Sequence, residues 1–341
     1  MDRQNVNNAA GRRSAWPSSV VEEGASAGLT NLRHVPRVSV LLPVYNAQAY
    51  LAEAIESILR QSFADFEFLI IDDGSTDGSV EIVSLYAARD PRIRFVAREN
   101  RGLVATLNEL AEMAQGEYLA RMDADDISLS DRFLHQVARL DAEPGLSALG
   151  TWWLNIDEMG NPIYVATPPL DHPTVDALNL SGVAALSHPS VMMRTDRFRE
   201  VGCYIETYKS AEDVDLWLRL AEHGRLANLD EVLLRYRMLE TSISGTRRDQ
   251  QNDSKRRACA DARIRRGLPQ QDIVTDDWRP GNDTQSRTKF AISWGWRAWK
   301  AGNQATARRY FIKALKISPL SRDAWKALIF GALRKRSYKE N

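Results

Sequence analysis

Four apolar runs, each closed by a polar motif and separated by helical patterns, are what most constrains the fold of this chain. The runs are VSVLLPV (38–44), FEFLIID (66–72), IRFVA (93–97) and EYLARM (117–122), and between them lie AYLAEAIESILRQS, SVEIVSLYAAR and LVATLNELAEMA. In the first of these, Leu51, Ala54, Ile55, Ile58 and Leu59 recur at helical spacing. A repeat of roughly 25–30 residues is the size of a βαβ unit. Near-continuous apolar strands indicate a parallel sheet covered on both faces, so the fold class is α/β. The segments that follow the strands, PVYN, DDGSTD, ENRG and DADD, then gather at one carboxyl edge, where open α/β sheets bind ligands.

The middle of the chain is less regular. LSALGTWWLNIDEMGNPIYVA predicts two strands joined by a turn at Gly160–Pro162, HPSVMMR another strand, AEDVDLWLRLAEHG a helix ended by Gly224, and EVLLRYRM a closing strand. The expected division is a leader over 1–36, a catalytic domain over 37–246, a basic helical segment and linker over 247–286, and a helical hairpin with a basic tail over 287–341. The leader is rich in Asn, Ser, Ala and Gly and lacks the apolar core of a secretion signal, so it is expected to be disordered. Forty-five Lys and Arg balance forty-five Asp and Glu, which gives no reason to expect nucleic acid as a partner. Cys203 and Cys259 match no zinc or redox spacing and favour a reducing, cytoplasmic setting. No apolar run approaches the ~20 residues that span a bilayer.

MDADD places Asp123 and Asp125 on one side of an extended segment, where two carboxylates can share Mg²⁺ or Mn²⁺. A calcium loop of EF-hand type would need Gly at Ser128 and a distant Glu, which are missing. A solvated loop with a helix cap at Ser130 or Asp131 fits the same residues. IIDDGSTDGS divides in the same way. Ser75 or Asp77 suits a cap or turn, while Asp72 and Asp73 at a strand tip suit a base N–H or a ribose hydroxyl. Neither glycine fingerprint for phosphate is present, so a nucleotide here would have its phosphates held by a metal.

Taken in order, VSVLLPVYNAQAYLAEAIESILRQSFADFEFLIIDDGSTD, ENRGLVATLNELAEMAQGEYLARMDADD and AEDVDLWLRLAEHG resemble family 2 glycosyltransferases over about Val38 to Ser244. The resemblance implies the GT-A (nucleotide-diphospho-sugar transferase) fold, with a mostly parallel central sheet, helices on both faces and here a C-terminal α-helical extension. It implies an inverting, metal-dependent transferase that uses a nucleotide-sugar donor, a UDP-sugar above others, and a glycan or lipid-linked acceptor. On this resemblance Pro43, Tyr45 and Asn46 line the nucleotide pocket with Glu53 near it, and Asp73, with Asp72 beside it, addresses the base. Arg101 and Gly102 approach the nucleotide, Asn100 and Asn108 support that loop and its helix, and Asp123 and Asp125 bind metal and diphosphate. Asp213 matches the catalytic base, and His188 matches either an acceptor-side residue or a structural one. The family often has a histidine where Leu239 stands, and Arg235 or Arg237 could replace its charge or belong to the strand surface.

Charge makes the base assignment reasonable. Glu212 and Asp215 are expected to crowd Asp213, and Trp217 to exclude water, both of which raise a carboxylate's proton affinity. First-turn acids favoured by the helix dipole would carry the same residues. A nucleotidyltransferase is the nearest enzymatic rival, but its Gly- and Arg-rich signature is missing. A catalytically inactive scaffold that docks partners through its C-terminal helices is the non-enzymatic one. In that region Gly302, Ala307, Phe311, Ala314 and Pro319 resemble one tetratricopeptide-like hairpin, which must pack on a neighbour. AWKALIFGALRKRSYK, apolar and basic, suits either peripheral contact with anionic membrane or a capping helix.

Overall fold

The computed structural model describes residues 34–239, 248–273 and 283–333. Most of the expected leader and the basic tail from Arg334 lie outside the described residues. The four apolar runs form β1 (Val38–Val44), β2 (Phe66–Asp73), β3 (Ile93–Arg98) and β4 (Tyr118–Arg121), with α1 (Leu51–Leu59), α2 (Ser79–Ala87) and α3 (Leu103–Met113) as crossovers. They pair in parallel in the order β3-β2-β1-β4. Every residue of β2 is buried, because alternate side chains feed two cores. Leu42, Phe68 and Ile70 meet Ile55 and Ile58 of α1 on one face. Leu41, Leu69 and Ile71 meet Val104, Leu107 and Leu110 of α3 on the other.

Beyond β4 come β5 (Ile127–Ser128), α4 (Arg132–Ala142), β6 (Leu146–Ile156), β7 (Pro162–Ala166), α5 (His172–Leu180) and β8 (Met192–Arg194). They are followed by α6 (Thr195–Glu200), α7 (Glu212–His223) and β9 (Arg225–Arg237). The sheet continues β4-β8-β6-β9-β5, with β7 hairpinned on β6. It is parallel over its first four strands and mixed beyond, since β8 is antiparallel to both neighbours and β6 runs parallel to β9. The strand expected over HPSVMMR shrinks to β8, and His188–Ser190 form a tight 3₁₀ turn. Pro189 has no N–H to give to a ladder, which accounts for the late start.

Three C-terminal helices stack on one another: α9 (Thr284–Lys300), α10 (Gln304–Ile317) and α11 (Arg322–Leu333). Their core takes in Ile163 of β7 and Met238, beside Trp294, Phe311 and Ala314. Asn303 donates to the Ile163 carbonyl at 3.0 Å, and Arg297 to the Tyr164 hydroxyl at 3.0 Å. The hairpin thus finds its missing partner on the outer edge of β6–β7. Before it, α8 (Arg248–Arg265) packs Ala258, Cys259 and Ala262 against Val214 and Leu218 of α7. Among the described residues no helix is long and apolar enough to cross a membrane.

Candidate functional site

The carboxyl edge of β1 and β2 is one hydrogen-bonded unit. Asn46 adopts φ 50°, a left-handed conformation that asparagine tolerates. Its Oδ1 accepts from the Thr76 N–H at 2.8 Å, while its own N–H donates to Ser75 Oγ at 2.8 Å. Ala47 and Gln48 donate to Ser79 Oγ (2.9 Å) and Asp77 Oδ2 (3.0 Å). Ser75 and Asp77, expected as turn residues, thus tie the DDGSTD segment to PVYN and the residues after it. Pro43 is the penultimate residue of β1, and Tyr45 just beyond the strand is 56% exposed.

Asp72 and Asp73 divide the work. Asp72 Oδ1 accepts from the Gly74 and Ser75 N–H groups (3.1 and 2.8 Å), and its Oδ2 is buried without a hydrogen-bond partner. Asp73 accepts from the N–H groups of Arg101 (2.8 Å) and Gly102 (2.9 Å) and pairs with Arg98. The carboxylate at the tip of β2 thus holds the ENRG loop, and Gly102 turns there at φ 89°. Gly74, at φ 81°, brings Asn100 so near that a Cβ would lie 2.8 Å from its backbone nitrogen. Asn108 exchanges hydrogen bonds with the Tyr204 backbone (2.9 and 3.0 Å) and fixes α3 to the far wall.

The acidic loop differs from expectation in its geometry. Residues 124–125 form a turn, so the alternation of an extended segment does not apply, and Asp126 joins Asp123 and Asp125. One oxygen from each of the three carboxylates lies within 4.8 Å of the others. Burial and the Asp123 charge push the Asp125 carboxyl up to about 7. Asp126 is driven up by burial and both neighbours, and its Oδ2 is a buried orphan. Hard oxygen donors, crowded like charge and an unused lone pair together fit a divalent cation.

Two arginines set this loop. Arg121, 3% exposed, pairs with Asp123. Its charge bears on Asp125 and Asp126 on one side and on Glu212, Asp213 and His188 on the other. Arg237, at the end of β9, donates Nε to the Asp125 carbonyl (2.8 Å) and its backbone N–H to Asp126 Oδ1 (2.7 Å). Its Nη2 reaches Glu53 Oε2 at 2.5 Å, and Tyr50 stacks on the guanidinium 4.4 Å away. Glu53 therefore braces the acidic loop through Arg237. Arg237 is buried, whereas Arg235 is exposed. Leu239 lines a small cavity with Glu158, Phe290, Trp294 and Tyr310, against the C-terminal helices.

On the other side of Arg121, α7 begins with Glu212 and Asp213. Burial and the Asp213 charge raise the Glu212 carboxyl to about 7, and its Oε2 is a buried orphan. Asp213 is half-buried, and desolvation outweighs the opposing charges of Lys255 and Arg121 to raise it. Asp215 does not crowd it as expected. That carboxylate is fully buried in a pair with Arg219 at 2.6 Å, one turn along the helix. Trp217 is fully buried and meets His188 edge-on, with ring centroids 5.8 Å apart. His188 Nε2 lies 2.7 Å from the Tyr204 hydroxyl, and burial with the Arg121 charge keeps the imidazole well below its usual range.

Sequence reasoning passed over Arg121 and Arg132. Arg132 is fully buried and donates Nη2 to the Arg121 carbonyl at 2.8 Å, behind the acidic loop. The available signal was an arginine inside the apolar run EYLARM, since a charged residue in a covered strand must be paired.

Residues 39–202 match the family described as Glycosyl transferase family 2. EpsE of Bacillus subtilis (strain 168), a protein assigned as a glycosyltransferase, is 38% identical over 218 residues, 62% of this chain and 76% of its own length. Chondroitin synthase of Escherichia coli is 29% identical over 201 residues, 59% of this chain but only 29% of that protein. Among solved structures, S. aureus TarS 1-349 with UDP-GlcNAc aligns at TM-score 0.56 and 17% identity, over 86% of this chain and 89% of its own. The mannosyltransferase PcManGT of Pyrobaculum calidifontis, with GDP-Man and Mn²⁺, aligns at 0.53 and 20%, over 88% and 80%. At such identities the likeness speaks for the fold.

Proposed function

The chain belongs to glycosyl transferase family 2, and from that premise we propose that it moves a sugar from a UDP-sugar to a hydroxyl of a glycan or lipid-linked acceptor. The transfer inverts the anomeric carbon and serves the building of a cell-surface polysaccharide. One observation carries this reading: the Asp123–Asp125–Asp126 cluster and the Glu212–Asp213 pair both lie under the charge of buried Arg121, at the end of β4. Nucleotide sugars bound to the structural neighbours and the relationship to chondroitin synthase support the donor class and the polysaccharide role. We place the reaction in the cytoplasm, where free thiols such as Cys203 and Cys259 persist.

Asp123, Asp125 and Asp126 would hold Mg²⁺ or Mn²⁺, which when bound supplies Lewis-acid stabilisation of the departing diphosphate. The remaining work belongs to the protein. Asp73 fixes the Arg101–Gly102 turn against which the nucleotide lies. The orphan Oδ2 of Asp72 offers an acceptor to a ring N–H or ribose hydroxyl. Asp213, the more accessible of its pair and with a proton affinity raised by burial, takes the proton of the acceptor hydroxyl. Glu212, whose proton affinity is raised by burial and by the Asp213 charge, resists carrying a second full charge beside it. A single displacement with base and leaving group on opposite sides of the sugar gives inversion.

The test is donor turnover by the full chain across a nucleotide-sugar panel, with Mn²⁺ and with a chelator. Asp125→Ala should lose Mn²⁺-dependent UDP binding with the fold intact by circular dichroism. Asp213→Asn should keep donor binding while turnover falls roughly 10²–10⁴-fold. Near-normal turnover in Asp213→Asn with loss in Glu212→Gln would exchange the two roles. An inactive docking module predicts no turnover and no Mn²⁺-dependent binding with any donor.

A further inference from the structure

We propose that the outward face of α11, with the turn before it, docks on an anionic lipid surface. The helix packs in an inverted sense. Its inward residues are small: Ala324 and Ala327 are buried, and Gly331 sits so close to Phe311 that a Cβ would lie 2.7 Å from the ring. Leu328 packs on the same core, but three other large apolar residues point out, with Trp325 50%, Ile329 50% and Phe330 53% exposed. Leu320, in the turn between α10 and α11, is 95% exposed. At 100° per residue Arg322 and Lys326 fall between Trp325, Ile329 and Phe330 on the same face. A helix that merely capped the stack would turn polar residues to water.

Charge selects the occupant. Residues 284–333 contain ten Lys and Arg and one acidic residue, Asp323, in a chain whose overall charge is zero. A second copy of the hairpin would meet this face with like charge. A single-stranded nucleic acid would stack on Trp325 and Phe330 but leave aliphatic Leu320 and Ile329 in water. An anionic bilayer accepts both parts of the face. Its acyl boundary takes the apolar side chains, and its headgroups take the guanidinium and ammonium groups, whose long stems lie along the apolar surface. The indole of Trp325 already donates Nε1 to the Pro319 carbonyl at 2.9 Å, so its polar atom needs no water once the ring is covered.

This inference is independent of the catalytic reading, because its test needs no turnover. The full chain is sedimented with phosphatidylcholine vesicles, with and without phosphatidylglycerol. It should pellet with the mixed vesicles only, and rising salt should release it in part. Ile329→Ser/Phe330→Ser should weaken partitioning by at least about tenfold, and each of Arg322 and Lys326 should contribute about fivefold when neutralised to Gln. Both variants should melt with the wild type, because these side chains are exposed. The proposal is overturned if the full chain stays in the supernatant with mixed vesicles, or if Ile329→Ser/Phe330→Ser pellets as the wild type does. It is equally overturned if the same substitutions abolish self-association or RNA binding while the chain ignores lipid.

Discussion

Arg237 touches three separate stretches of chain: the acidic loop, the start of α1 through Glu53 and Tyr50, and the β6–β7 turn through the Asp157 and Glu158 carbonyls. Removing a buried cation leaves several acceptors without a donor, and the cost should far exceed that of its exposed partner. Arg237→Met is expected to destabilise by about 3–5 kcal/mol and, by releasing the loop backbone, to lower Mn²⁺ affinity about 10–100-fold. Glu53→Gln should cost less than about 1 kcal/mol, since the Glu53 side chain is 55% exposed. Urea unfolding and calorimetric Mn²⁺ titration of the two variants check this order, and equal losses would contradict it. In the sequence nothing in RYRM sets Arg237 apart from Arg235, because its side-chain and backbone partners in the acidic loop and α1 lie 111 to 184 residues away. The position of Asp213 in the first turn of a helix was legible because its motif is local, whereas the pairing of Asp215 with Arg219, local too, was not read from the sequence.

Elements were legible in proportion to their length and periodicity. β1 to β4 and α1 to α3 each carry enough residues for a pattern, and they lie where the apolar runs put them. β5 has two residues and β8 three, too few for any period, so the sheet's turn to mixed pairing had no local signal. The C-terminal stack shows the opposite case, in which spacing flagged Phe311 and the structure explains why. Its ring lies where a Cβ on Gly295 of α9 would approach to 2.3 Å. Alanine at 295 gains about 1 kcal/mol of helix propensity but meets a ring packed also against Gly331. Overpacking of this kind costs about 1–3 kcal/mol, so Gly295→Ala should give a net loss. Adding Phe311→Leu should restore part of it, and thermal melts of the single and double variants read the difference.

At the scale of the molecule, catalytic body and C-terminal stack divide the charge unequally. With ten basic residues and one acidic in 284–333, the other residues carry 35 basic and 44 acidic. A formal net charge of zero therefore describes no part of the surface. A chain of evenly mixed charge and this composition would pass unretained through a cation-exchange column near neutral pH. This one is expected to bind such a resin by one end, and to bind an anion exchanger under the same buffer by the other. Retention on both columns, with Arg322→Glu/Lys326→Glu eluting earlier from the first and later from the second, is the chromatographic signature of a neutral protein built as a dipole.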